Sequence, residues 1–115
     1  MKNFEELEER MVDFTVMVIS ISVSLPKTLT GNYLADQAIR SAISPALNYA
    51  EDRDAESRKD FIHKMKIVLK ELRETMVALK IIFKLNLIEE ENTLKTILKE
   101  NNELISIFVK RNIQF

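Results

Sequence analysis

From Ile62 to Phe83 the apolar residues recur at alternating spacings of three and four: Ile62, Met65, Leu69, Leu72, Met76, Leu79 and Phe83. A sustained a/d pattern of this kind predicts a long amphipathic helix packed against other helices. On the same turns Lys59, His63, Lys66, Lys70, Arg73, Lys80 and Lys84 form a separate, mostly basic stripe. That helix faces a core on one side and water or an anion on the other.

Upstream, Phe4, Leu7, Met11, Phe14 and Val18 share one helical face. From Ile19 to Leu25 the pattern alternates as in a strand, but a lone strand would have no partner, so the segment is read as helix up to Pro26. Lys27 to Gly31 forms the first connection, with Thr30 or Asn32 as cap of a second helix. That helix carries Ala35, Ala38, Ala42, Ala46 and Ala50, a small-residue stripe suited to close packing. Pro45 should kink it, with the Ser44 hydroxyl bonding back to an earlier carbonyl. Glu51 to Ser57 marks the second turn, with Asp54 or Ser57 as cap and Asp60 completing a rough capping box. The third helix ends near Leu85, where Asn86 suits a left-handed terminus. Glu89, Glu90 and Glu91 open a fourth, whose apolar face (Leu94, Ile97, Leu98, Leu104, Ile105, Phe108, Val109) is interrupted by Asn101.

Four helices with short links predict an all-α fold, an antiparallel up-down-up-down four-helix bundle forming a single domain over residues 1–115. Phe61, Val68 and Ile82 widen the apolar face of the third helix, and Ile107 and Ile113 that of the fourth. Excess apolar width argues for oligomerisation.

Composition narrows this further. At 115 residues and 46% hydrophobic content the chain supports one core, and one glycine with two prolines fits long helices better than strands and turns. Without cysteine, neither a disulfide nor a thiolate zinc site can form. The net charge is −1, but residues 1–13 sum to −3, whereas residues 55–88 hold eight basic against four acidic side chains, a local +4. Glutamates near the N-terminus oppose a secretory signal, and the apolar run from Met11 to Leu25 is too short for a bilayer, so a cytoplasmic protein without a membrane anchor is expected.

Catalytic apparatus is not visible: there is no phosphate-cradling glycine loop, nucleotide fingerprint or activated nucleophile. His63 is the sole histidine, and its pairing with Asp60 lacks the inward carboxylates of a bundle metal site. Glu71 and Glu74 read as partners of Lys70, Arg73 and neighbouring lysines on a solvated face. Asn48 and Tyr49, among the alanines of the second helix, read either as groups satisfying backbone freed by Pro45 or as the polar lining of an oligomer's cleft. Arg40 and Gln37 admit the same two readings. Lys59, Lys66, Lys70 and Arg73 are the candidate anion-facing residues, although RNA or DNA recognition usually also uses interleaved aromatics for stacking.

The segment Arg40-Ser41-Ala42-Ile43-Ser44-Pro45-Ala46-Leu47-Asn48-Tyr49-Ala50-Glu51, with Ala55-Glu56-Ser57, Asp60-Phe61-Ile62-His63-Lys64 and Ile67-Val68-Leu69-Lys70-Glu71-Leu72-Arg73-Glu74-Thr75, resembles a known family. It is similar to the small bacterial four-helix-bundle proteins related to the protein encoded in intervening sequences of 23S ribosomal RNA genes, most closely their Bacteroidetes-type branch. The similarity runs from about Phe14 to Val109. The resemblance implies an antiparallel bundle assembled as a ring-like homopentamer, and little about activity. A related protein, the accessory variability determinant of diversity-generating retroelements, is a basic pentamer that binds nucleic acid and a reverse transcriptase; this chain departs from it in its near-zero charge. Asp52 stands where the wider family often has glycine near the end of the second helix.

The combined expectation is a non-enzymatic, cytoplasmic homo-oligomer without cofactor or metal, serving as a binding or scaffold protein. Its expected partners are further copies of itself and another protein. The alternative is an RNA- or DNA-associated factor using Lys59, Lys66, Lys70 and Arg73, with Arg40, Asn48 and Tyr49 serving structure or assembly.

Overall fold

The computed structural model describes residues 4–113, except for the side chains of residues 112 and 113. Its four helices are α1 (Phe4–Ser22), α2 (Leu29–Asp52), α3 (Arg58–Lys84) and α4 (Glu91–Ile113). Each helix packs on the next in sequence and α4 closes on α1, while the backbones of the diagonal pairs α1/α3 and α2/α4 stay apart and meet only through side chains in the core. This is the up-down-up-down bundle, 44 × 24 × 20 Å, and no strand occurs among the described residues.

Every helix sends an inward seam at spacings of three and four into one core. Leu7, Met11, Phe14, Val18 and Ile21 come from α1, and Leu34, Ala38, Ala42, Pro45 and Tyr49 from α2. Leu94, Ile97, Asn101, Leu104 and Phe108 come from α4. Burying one large aliphatic side chain contributes roughly 1.5–3 kcal/mol, enough for this seam to override the strand-like alternation after Ile19. The α3 seam is rotated from the expected one. Met65, Val68, Leu72, Thr75, Leu79 and Ile82 are buried, whereas Ile62, Leu69, Met76 and Phe83 lie half-buried at its flanks. Val68 and Ile82 are thus core rather than surplus width, and Phe61 and Ile107 lean half-buried against the core. Ile113 falls outside the described side chains.

The helix ends correct several boundaries. Helix α1 stops at Ser22, whose hydroxyl donates to the Val18 carbonyl (2.7 Å), three residues before the expected end. Thr28, not Thr30 or Asn32, caps α2 by accepting from the Gly31 amide at 3.0 Å. Gly31 is needed for space: a Cβ there would lie 2.0 Å from the Pro26 carbonyl oxygen. Helix α2 continues through Pro45 to Asp52. Ser57 caps α3 by accepting from the Asp60 amide (3.1 Å), and the Asp60 carboxylate accepts from Glu56 rather than from the cap residue. At its other end Asn86 is left-handed (φ 54°), with Leu87 N–H donating to Ile82 O and Asn86 N–H to Phe83 O, a Schellman closure. Helix α4 begins at Glu91, so Glu89 and Glu90 precede it. Asn101, expected to interrupt its apolar face, is fully buried, and its Nδ2 donates to the Leu72 carbonyl at 3.1 Å.

Candidate functional site

Ser41, Ser44 and Asn48 share one face of α2, opposite Glu71 and Thr75 of α3, and together they form a polar ladder between the two helices. Asn48 Nδ2 donates to Glu71 Oε1 at 2.9 Å and to Ser44 Oγ at 3.2 Å, and the Ser44 hydroxyl donates to Glu71 Oε2. Thr75 Oγ1 lies 2.9 Å from Ser41 Oγ and 3.0 Å from the Glu71 carbonyl. Two expectations are corrected here. Ser44 does not bond back to an α2 carbonyl, and Glu71 is not a partner of the lysines but the half-buried hub joining α2 to α3. Near Pro45 it is Thr15 of α1 that reaches α2, with its hydroxyl 3.0 Å from the Ala42 carbonyl.

Beside the ladder an open groove of about 670 Å³ lies between the two helices. Tyr33, Leu34, Leu69, Val77, Ala78 and Ile81 make its apolar part, and Lys66, Lys70, Arg73 and Glu74 its charged rim. Tyr33, Val77 and Ile81 are 64%, 55% and 41% exposed, an unusual exposure for large apolar side chains that lie together. These three were not singled out in the sequence. The available signal was Val77, which takes a position on the basic stripe one turn beyond Arg73.

Lys59, Lys66, Lys70 and Arg73 are all exposed on α3, and none has a carboxylate within ion-pair distance among the described residues. Lys59 and His63 lie beyond the groove, around a shallow depression shared with Arg58, Ile62 and Lys66. Arg40 is separate from them: it is exposed on α2, pairs with Asp36 at 3.2 Å, and borders a small cleft with Gln37, Ser41 and Glu74.

Tyr49 turns away from Asn48 and into the core. Its ring stacks on Phe4 (centroids 4.1 Å apart, 8° between planes) and meets Phe108 edge-on at 5.4 Å. Its hydroxyl has no hydrogen-bond partner, so it satisfies no backbone group, and burial pushes its pKa up. One turn on, Asp52 is buried with both carboxylate oxygens unpartnered. Desolvation, with Asp60 adding and Lys64 opposing, pushes its pKa up to about 6.

The outer face of α1 has the opposite charge. Glu5, Glu9 and Asp13 are exposed there alongside Val12 and Val16, which are 42% and 56% exposed. On its inner flank Arg10 binds Glu100 of α4 in bidentate fashion, Nε to Oε2 and Nη2 to Oε1, both at 2.7 Å. That hydrogen-bonded contact raises the Arg10 pKa against the opposing effect of burial, and Glu103 adds a weaker contact at 3.6 Å.

Among the described residues no group of three or more histidine, aspartate and glutamate side chains could hold a metal ion. No helix there is long and apolar enough to cross a membrane.

Comparison with known proteins finds a family model, described as 23S rRNA-intervening sequence protein, that matches residues 6–110. Among solved structures, a protein of unknown function from the S23 ribosomal protein family of Bacteroides thetaiotaomicron VPI-5482 is similar. It has 26% sequence identity and a TM-score of 0.82, with 91% of this chain and 96% of that one covered. No curated protein matches.

Proposed function

We propose that this chain, which belongs to the 23S rRNA-intervening sequence protein family, acts as a self-associating scaffold in the cytoplasm, with binding rather than catalysis as its task. The observation that carries the reading is the pair of separate apolar surfaces left open by a bundle whose core is already closed. One is the α2/α3 groove with Tyr33, Val77 and Ile81, and the other is the outer face of α1 with Val12 and Val16. A monomer keeps such clusters hydrated at a cost of about 25 cal/mol per Å² of apolar surface, which a second copy would recover. Two different surfaces on one chain favour head-to-tail contacts, and these close into rings when the rotation between copies permits. By resemblance the ring has five members. Light scattering or sedimentation at micromolar concentration should give a multiple of the 13.4 kDa chain, five-fold for the pentamer. A monomer would remove the reading.

A second reading is supported by Lys59, Lys66, Lys70 and Arg73, exposed cations with no ion pair among the described residues: an accessory factor that binds RNA or DNA by phosphate contacts. Such binding should co-purify nucleic acid at low salt, weaken steeply as salt rises, and vanish when Lys66, Lys70 and Arg73 are changed together to glutamate. Protein clean of nucleic acid at low salt counts against it.

A further inference from the structure

We infer that the occupant of the α2/α3 groove is helix α1 of a second copy, lying along α3 in the same direction and presenting its acidic outer face to the basic rim. The inference rests on the self-association reading and names the two surfaces that would meet.

Three observations carry it. The first is charge: the groove rim holds Lys66, Lys70 and Arg73 against the single Glu74, while the outer face of α1 exposes Glu5, Glu9 and Asp13. The second is order along the axis. On α1 Glu5 and Glu9 come first, and the exposed valines Val12 and Val16 follow with Asp13 between them; on α3 Lys66 and Lys70 come first, and Val77 and Ile81 follow after Arg73 and Glu74. The spacings agree as well. Glu5, Glu9 and Val16 are separated by four and seven residues, and so are Lys66, Lys70 and Val77. At a rise of about 1.5 Å per residue, two parallel helices set Glu5 against Lys66 and Glu9 against Lys70 in the register that sets Val16 against Val77. Antiparallel docking would put the acids beside Val77 and Ile81.

The third observation is topological. Helices α1 and α3 are diagonal in the bundle with their backbones apart, so the outward acidic face of α1 does not lie beside the basic rim of its own chain. The match can be made only between copies. Each copy then offers its groove to one neighbour and its α1 to another, a heterologous contact that a two-fold dimer does not use up. The rim cations also become interface residues here, with the ion pairs that they lack among the described residues.

The test uses the full-length chain in three versions: Lys66→Glu with Lys70→Glu, Glu5→Lys with Glu9→Lys, and all four changes together. Each two-residue reversal should weaken association at least tenfold by sedimentation, and the four-residue version should restore the wild-type mass. Helicity and melting temperature, followed by circular dichroism, identify any variant that fails to fold. Because the chain has no cysteine, a second measurement is independent of charge. Val16→Cys and Val77→Cys, made in separate chains, should form a disulfide on oxidation when mixed and not when either is alone. A monomeric wild type overturns both the self-association reading and this one. An oligomeric wild type whose mass ignores the charge reversals, or whose cysteines do not cross-link in the mixture, overturns only the assignment of these surfaces.

Discussion

Asn48 and Tyr49 are adjacent in sequence and belong to different faces of α2. The face of Ser41, Ser44 and Asn48 meets α3 through side-chain hydrogen bonds that converge on Glu71. The face of Pro45, Tyr49 and Asp52 is buried, and there the Tyr49 hydroxyl and both Asp52 oxygens are without partners. Polar character therefore means different things a hundred degrees apart on one helix. On the first face the polar atoms make the contact. On the second, Tyr49 is held for its ring and Asp52 against the cost of its charge.

The largest effect separating the two faces is expected at Tyr49. Removing a fully buried ring that stacks on Phe4 and meets Phe108 edge-on should cost about 3–5 kcal/mol, so Tyr49→Ala should lower the urea midpoint severely. Tyr49→Phe should be neutral or stabilising, because the hydroxyl it deletes is desolvated and unpaired. A Tyr49→Phe loss above about 1 kcal/mol would show that the hydroxyl has a partner, and the contrast between the faces would fail.

Asp52 sharpens the comparison through pH. Its carboxyl pKa rises from 3.8 to about 6 in the folded chain, so between those values the folded state holds a proton that the unfolded state has released. Its contribution to stability is complete below pH 3.8 and is lost as pH rises towards 6. The loss is on the order of 2–3 kcal/mol, since one pKa unit corresponds to about 1.4 kcal/mol. Asp52→Asn should flatten this fall and leave the variant more stable than wild type at pH 7, with the two alike near pH 4. Denaturation at both pH values checks it. Equal slopes in the two proteins would mean that the Asp52 carboxylate is paired or hydrated.

The same contrast explains what was legible in the sequence. Four helices, their order, the Asn86 terminus and the family follow from periodicity, sparse glycine and a long matching segment, all of which are local or additive signals. The α3 seam was displaced because Val68, Ile82 and Thr75 compete with Leu69, Met76 and Phe83 for the inward direction, and only the neighbouring helices decide between them. Thr28 is hidden as the α2 cap because Gly31 reads as the end of the connection, when it lies inside the helix and admits the Pro26 carbonyl. Lys59, Lys66, Lys70 and Arg73 are exposed on α3. The groove beside them was not legible, since its other wall comes from Tyr33, more than thirty residues away in sequence. Glu71 was assigned to the lysines for the same reason: sequence proximity is visible, whereas a serine and an asparagine on another helix are not.

The smallest and most discriminating effect is expected in the ladder. Glu71→Ala deletes the acceptor shared by Ser44 and Asn48 and leaves both half-buried donors to find water, which should cost about 1–2 kcal/mol. Replacing Asn48 and Glu71 together by leucine removes donor and acceptor at once and adds apolar contact between α2 and α3. The double variant should therefore lose less than Glu71→Ala, with a coupling between the two sites of roughly 1 kcal/mol in a double-mutant cycle measured by denaturation. Independent, additive losses would mean that Glu71 is held by solvent rather than by α2. The ladder would then be a surface feature of two packed helices, and the dry face around Tyr49 alone would fix how α2 sits in the bundle.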